Sequence, residues 1–267
     1  MIDKENGGYG STINCGVREA KGRYFKQLDG DDWFVPERLA DLTAVLNETD
    51  ADLVVTQVLR HDEGSGEEVL RDYLPDQAEE TVSFEHVTVP GLLPMHSVTY
   101  KTALLRQTGR PITEHCFYTD IEYAMYPVPL VQTVLALHMP VYVYRIGVEG
   151  QSVSASGITK HYKEHRKVLG HIFRFYDEHA DMCASKRDLV LNRIKMELSR
   201  HLKYICMLPV SAQHCREFRG FVRMVRRRYP EILAETASFC RFTALAGKAD
   251  GLAYPLLCIL VRTGLAD

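Results

Sequence analysis

The sequence predicts an α/β domain followed by a helical region, on three observations. Short β-branched runs alternate with amphipathic helical stretches as far as about residue 157. Beyond that point strand signals stop and helical periodicity runs almost to the end. An acidic turn, Asp29-Gly30-Asp31-Asp32, closes an apolar strand near the start. The expected division is therefore 1–157, α/β, and 158–267, helical.

Gly7, Gly8 and Gly10 are turn formers, and Ser11 is placed to cap a short helix with Ile13, Val17 and Ala20 on its apolar face and Gly22 as its stop. Arg23–Leu28 reads as a brief strand running into the acidic turn. Pro36 suits the first turn of a second helix, whose stripe is Leu39, Leu42, Val45 and Leu46. Leu53–Leu59 is a buried strand by length and β-branching, and the polar stretch His61–Glu68 is a turn or hairpin tip. Met95–Tyr100 reads as a strand with a short helix after it, and Gln132–Ala136 and Val141–Arg145 as two further strands. In the helical part Tyr162, Leu169, Ile172, Phe173 and Tyr176 form one stripe, and Leu189, Ile194, Leu198, Leu202 and Ile205 another.

At 267 residues and 46% hydrophobic the chain is long and apolar enough for a large core. A net charge of −3 provides no field that would draw it to nucleic acid, so no nucleic-acid partner is expected. The seven cysteines are odd in number, scattered and without a C-x-x-C pair, which suits free thiols in a reducing cytoplasm. No signal peptide is read ahead of the first motif, and the best apolar run, Leu256–Val261, is far short of the roughly 20 residues that span a bilayer. A cytoplasmic chain is expected.

Carboxylates at i and i+2 of a bent turn can converge on one cation. Mg²⁺ and Mn²⁺ are hard ions that take oxygen ligands and bind phosphates well. Such an ion would neutralise charge on a departing diphosphate. An isolated D-x-D is nevertheless most often a solvated loop, because Asp and Gly are common turn residues.

The surroundings of the turn are more specific. Glu5-Asn6-Gly7-Gly8-Tyr9-Gly10-Ser11-Thr12-Ile13-Asn14-Cys15-Gly16 leads through Ala20-Lys21-Gly22-Arg23-Tyr24 to Leu28-Asp29-Gly30-Asp31-Asp32-Trp33. In order and spacing this resembles the family 2 glycosyltransferases, inverting enzymes of GT-A fold with an E-N-x-G loop, an N-x-G helix, A-x-G-x-Y and a strand ending in D-x-D-D. Thr12-Ile13 stand where the family often carries Ala-Arg. The resemblance implies that Asp29 and Asp31 are the D-x-D, with Asp31 the more direct ligand of Mg²⁺ or Mn²⁺. It places Asn6, Gly8 and Asn14 in the wall of the donor site, although loop and cap chemistry accounts for much of what such residues do. Phe117-Tyr118-Thr119-Asp120-Ile121-Glu122-Tyr123 resembles the acidic element that supplies the catalytic base, with Thr119 in place of the usual Glu. Asp120 aligns with the base, which takes the acceptor hydroxyl proton, and Glu122 is the fallback; a cap of the following helix is the other reading of Asp120. Tyr142-Val143-Tyr144-Arg145 and Gly150-Gln151-Ser152-Val153-Ser154 resemble a Y-x-Y-R strand and a loop that closes over the donor diphosphate. Arg145 and Ser152 are thereby assigned to the donor, a structural ion pair being the equal alternative for Arg145.

The resemblance extends over about Asp3–Ser156 and implies a nucleotide-sugar donor, most simply a UDP-sugar, with a glycan, lipid-linked or cell-surface polysaccharide acceptor. Family members begin with a strand, a helix and a second strand ending in Asp-Asp-x-Ser, whereas Met1 stands just before the matched loop. A βαβ unit takes about 30 residues, so the expected fold is a GT-A domain missing its first strands, with an exposed sheet edge and weak nucleotide binding. The alternative from another class is an inactive remnant that acts as a binding module. A metal-dependent phosphotransferase or hydrolase would explain the acidic turn but not the Asn-Gly loop.

Three further features stand apart. His161 and His165 are spaced for a metal, but a solvated helix face is the favoured reading, with His161 kept as a metal candidate. For His96, beside the strand Ser97–Tyr100, the sharper reading is a side chain lining the acceptor side and the commoner one a satisfied core or rim histidine. Arg216, Arg219, Arg223, Arg226, Arg227 and Arg228 lie opposite Phe218, Phe221, Val222, Val225 and Tyr229 on a basic amphipathic helix. An ordinary docked surface helix is the plainer reading, and peripheral contact with anionic lipid at the inner face of the membrane the sharper one.

Overall fold

The computed structural model describes residues 2–147, 155–248 and 253–265. In chain order it forms α1 (Gly8–Glu19), β1 (Tyr24–Phe25), β2 (Trp33–Phe34), α2 (Pro36–Glu48), β3 (Leu53–Asp62), β4 (Glu68–Arg71), β5 (Thr81–Ser83), β6 (Val98–Lys101), α3 (Thr102–Gln107), α4 (Asp120–Met125) and β7 (Thr133–Ile146). Six helices follow: α5 (Ala155–Glu178), α6 (Ala184–Met207), α7 (Ala212–Arg228), α8 (Pro230–Phe239), α9 (Arg241–Lys248) and α10 (Tyr254–Arg262).

The strands build one mixed sheet in the order β1-β6-β3-β7-β2, with β4 added to β3 and β5 to β7. The central pair, β3 and β7, is parallel and the other pairs are antiparallel. Leu53 to Val58 are all buried, Thr56 and Gln57 included, the continuous burial expected of a strand covered on both faces. The sequence reads two strands in 132–145, whereas the structure joins them into one 14-residue strand that runs through Pro140. Pro140 pairs with Gln57 where the β3–β7 register shifts on either side of Gln57, so the missing proline N–H falls at an irregularity instead of in a regular ladder. Helix α2 closes one face of the sheet: Leu42 packs with Ala51, Val54, Leu135, Leu137 and Val141, and Leu39, Val45 and Leu46 pack around them.

Helix α1 starts one turn earlier than the sequence suggests. Its N-cap is Gly7, and Ser11, expected as the cap, is buried inside the helix. The reason is steric: a Cβ on Gly7 would lie 2.4 Å from Ser11 Oγ, so only glycine allows this start.

The chain divides into two compact units, Met1–Glu149 with Arg174–Val190, and Gly150–Phe173 with Leu191–Asp267. In the first, the helical segment after Arg174 packs beside the sheet: Phe175 lies 5.3 Å from the ring of Tyr126, and Lys186 Nζ donates to Pro129 O at 3.0 Å. The second is helical. Its core includes Leu169, Phe173, Leu198, Leu202, Phe218, Phe221 and Val222, with Phe173 stacked on Tyr229 at 4.3 Å.

The second unit also contains a buried polar network. Glu197 Oε2 lies 3.0 Å from His165 Nε2, and its Oε1 accepts from Arg193 at 3.2 Å and Arg200 at 2.9 Å. His165 is 1% exposed, so the reading of the His161–His165 pair as a solvated face is corrected for His165. Position 165 falls on the buried stripe of α5 between Tyr162 and Leu169, four residues from one and three from the other. His161 instead sits 2.7 Å from Glu164. None of the seven cysteines is in a disulfide.

Candidate active site

Glycine geometry seats the start of α1 against the segment before α4. Gly8 has φ +77, and a Cβ on Gly10 would lie 2.2 Å from Thr113 O, so both positions need glycine. Gly7 O accepts from His115 N at 2.6 Å, and Asn6 Oδ1 accepts from Gly8 N at 3.0 Å. The Asn14 amide is engaged on both sides: Nδ2 donates to Ile112 O at 2.8 Å and Oδ1 accepts from Ile112 N at 2.8 Å. From the other side, buried Glu122 accepts from Thr113 N at 2.7 Å and from its hydroxyl at 2.9 Å. These bonds fix a segment in which His115 (φ 51) and Tyr118 (φ 65) hold left-handed backbone without being glycine, a strain of the kind that persists only when surrounding contacts enforce it. Asp120 follows as the first residue of α4, with Thr119 at the N-cap; Asp120 is not the cap.

The acidic turn lies between this segment and β7. Asp32 is almost fully buried by its side chain. Its Oδ2 accepts from the Tyr142 hydroxyl at 2.6 Å and its Oδ1 from Arg145 N at 2.9 Å. Tyr142 Oη in turn accepts from Asp29 N at 3.1 Å. His96 stacks on Tyr144 at 4.3 Å, and its Nε2 is 4.0 Å from Asp32 Oδ2. The carbonyl of His96 accepts from Lys26 Nζ at 2.9 Å, and burial pushes that ammonium's pKa down to about 7. Asp29 Oδ1 is shut off from solvent and has no hydrogen-bond partner.

Burial raises the Asp29 carboxyl to about 6; the Tyr9 hydroxyl opposes this, and the charges of Asp32, Asp120 and Asp31 reinforce it. Asp120 also helps raise Tyr9 and Tyr144, in each case together with Asp29. The acidic turn and the first residue of α4, far apart in sequence, therefore share one electrostatic neighbourhood. Asp29, Asp32 and His96 each offer a ligand atom within 4.8 Å of the others. An orphaned buried carboxylate oxygen beside a second carboxylate and an imidazole fits a divalent cation of the Mg²⁺ or Mn²⁺ class, which accepts oxygen and, for Mn²⁺, imidazole ligands.

The sequence model of glycosyl transferase family 2 matches residues 1–108. Over those residues the chain is similar to glycosyl transferase family 2. The chain is 45% identical over 47 residues to an uncharacterised glycosyltransferase of Rickettsia prowazekii, and 43% identical over 47 residues to one of Rickettsia typhi. Each match takes in 18% of this chain and 15% of the relative, so it spans far less than the relatives' length. Among solved structures, residues 1–349 of Staphylococcus aureus TarS, in complex with UDP-GlcNAc, match with a TM-score of 0.65 at 16% identity, covering 98% of this chain and 74% of that one. The same TarS fragment without that ligand matches with a TM-score of 0.61. At this identity the likeness shows the fold, GT-A, with a helical C-terminal region.

In this unit Asp31, Asp32 and Asp120 all act electrostatically on Asp29, and Asn6, Gly8 and Asn14 form the scaffold that positions the loop before Asp120. Arg145 touches the site through its backbone N–H, while its guanidinium lies 3.9 Å from Glu63. Glu122, the fallback base, is buried against Thr113. Ser152 lies outside the described residues. Sequence reasoning missed Tyr9, Asp32 and Tyr142 as parts of the site and favoured a core or rim role for His96 over an acceptor-side one. The double Asp of D-x-D-D and the Y-x-Y repeat were the available signals for Asp32 and Tyr142; nothing in the sequence ties His96 to position 32.

Proposed function

We propose that this chain transfers a sugar from a nucleoside-diphosphate donor, a UDP-sugar, to a hydroxyl of a glycan, lipid-linked or polysaccharide acceptor with inversion at the anomeric carbon. The observation that carries this reading is that Asp120 acts electrostatically on Asp29, beside Asp31 and Asp32. In a single displacement the acceptor oxygen attacks the anomeric carbon, Asp120 takes its proton, and the diphosphate leaves with the bonding electrons. Asp29, through its orphaned Oδ1, and Asp31 would hold Mg²⁺ or Mn²⁺, which when bound supplies positive charge to the departing diphosphate. Asp32 and His96, whose ligand atoms lie within 4.8 Å of each other and of one from Asp29, would complete the set around that ion, and Asp32 also orients Tyr142 and the Arg145 backbone. The TarS structure with UDP-GlcNAc supports that donor as the first to test.

The test is release of UDP from UDP-GlcNAc by the full chain with Mn²⁺. Slow release in the wild type, lost in Asp29→Asn and Asp120→Asn, supports the reading. A chain that neither binds nor turns over UDP-, GDP- or dTDP-sugars would instead be the inactive binding module. No helix among the described residues is long and apolar enough to cross a membrane. Arg216, Arg223 and Arg227 of α7 are exposed along one face, which supports a peripheral contact with anionic lipid. Flotation with anionic but not neutral vesicles is the expected result, and equal flotation with both would end that part of the proposal.

A further inference from the structure

Arg60 lies on β3 and pairs in register with Tyr144 of β7, so the two side chains share a face of the sheet. That is the face on which Tyr144 stacks on His96 and senses Asp32, Asp120 and Asp29. The Arg60 guanidinium acts on Tyr144 as well, opposing those carboxylates. Its Nε is closed off from solvent and has no hydrogen-bond partner. The other cations around this strand are engaged: Arg145 lies 3.9 Å from Glu63, and Lys26 donates to His96 O at 2.9 Å and Val98 O at 3.4 Å. The Arg60 side chain has neither a hydrogen bond nor an ion pair among the described residues.

A half-buried guanidinium without a partner is unfavourable, since desolvation of a charge is compensated only by pairing. Here the arrangement leaves a planar five-donor fork on the sheet face shared with the carboxylate cluster, with no bonded partner for it among the described residues. Arginine's fork matches phosphate oxygens in pairs, and a low-dielectric position strengthens the contact. We propose that Arg60 is a binding residue for a phosphate-type oxyanion of the ligand in the carboxylate cleft. The oxyanion belongs either to the donor diphosphate or to a phosphate carried by the acceptor. The inference rests on the reading of that cleft as a sugar-transfer site, but the anion contact is measurable without turnover.

The experiment is calorimetric titration of the full chain, with Mn²⁺ present, by inorganic pyrophosphate, UDP and glycerol phosphate, in wild type, Arg60→Gln and Arg60→Lys. Loss of a charge-assisted hydrogen bond predicts a roughly 10- to 150-fold weaker affinity in Arg60→Gln and a smaller loss in Arg60→Lys. Because an unpaired charge is being removed, Arg60→Gln should melt at the wild-type temperature or above it. Pyrophosphate and UDP weakening together identify the donor as the source of the oxyanion; glycerol phosphate weakening alone identifies the acceptor. Pyrophosphate binding that depends on Arg60 in a chain indifferent to UDP keeps the anion site and removes the nucleotide reading. Unchanged affinities for all three in Arg60→Gln overturn the proposal, as does a wild type that binds none of them. A variant that melts several degrees lower with all three affinities falling alike would mark Arg60 as structural and overturn it too.

Discussion

Replacing Asp29 by Asn should stabilise the protein at neutral pH while abolishing its metal response. The Asp29 carboxyl is raised from its ordinary 3.8 to about 6, first by burial and then by Asp32, Asp120 and Asp31. Because the folded pKa lies above the unfolded one, the ionised carboxylate destabilises the fold above about pH 6. That penalty fades as pH falls towards 4 and the folded chain takes up the proton. Two pH units correspond to ~3 kcal/mol at about 1.4 kcal/mol each. Asp29 is only partly buried, and solvent screening brings the figure to roughly half of that. Asn keeps an oxygen for Tyr9 and removes the charge. A chain of this size shifts its Tm by about 2–4 °C per kcal/mol, so Asp29→Asn should melt roughly 3–6 °C higher at pH 7.5 and only about 1–2 °C higher at pH 4.5. Calorimetric melts at both pH values, with and without millimolar Mn²⁺, read both halves. Mn²⁺ should raise the Tm of wild type alone, and its affinity for wild type should fall about tenfold per pH unit below 6 as protons compete for the ligand. A variant less stable than wild type at pH 7.5, or a gain that does not change with pH, would refute the reasoning.

Three other outcomes follow from named contacts. Glu197→Ala should cost about 3–5 kcal/mol in urea unfolding monitored by helical circular dichroism, because it leaves His165 and Arg193 buried without their carboxylate. Burial alone would raise the Glu197 pKa, but the His165 hydrogen bond and the charges of Arg200 and Arg193 outweigh it and lower it to about 2; the stabilisation is therefore present above the ordinary 4.5 and lost as pH falls from there towards 2. Gly10→Ala brings a Cβ to 2.2 Å from Thr113 O and 2.9 Å from Ile112 Cγ2, so it should lose about 1–3 kcal/mol of stability by the same assay. Asp120→Asn should lower UDP release by about 10²–10⁴-fold with little change in Tm, whereas Glu122→Gln, at a buried carboxylate holding Thr113, should lower Tm.

The legible parts of the molecule are those whose cause is local. Pro36 at a helix start, the β-branched run at Leu53–Val58 and the apolar spacing of α2 can each be read within a dozen residues, and each forms as expected. The D-x-D-D turn was legible as chemistry because its carboxylates are neighbours in sequence. What escaped depends on distant partners. His96 could not be placed beside the acidic turn because its ring is positioned by Tyr144, and the single strand 133–146 was hidden because its break at Pro140 is absorbed by Gln57 on another strand. His165 was misread because periodicity places it on the buried stripe, while its chemistry suggests water; Glu197 and His201, a helix away, give its ring nitrogens the partners that make burial tolerable.

The two polar clusters differ in a way that separates structure from function. In the helical unit Glu197 sits among an imidazole and two guanidiniums, and its pKa is driven down, so the ion is at rest without any ligand. In the α/β unit Asp29 feels three other carboxylates, its pKa is driven up, and one of its oxygens is left unsatisfied. A fold optimised only for stability would resolve the second cluster as it does the first, by supplying a cation from the chain. Arg60 stands on the same face and bonds to none of those carboxylates. Net negative charge concentrated beside an unpaired guanidinium is unfavourable in the free chain and becomes favourable when a divalent cation and an oxyanion enter together, which is the charge pattern of a metal-bound diphosphate.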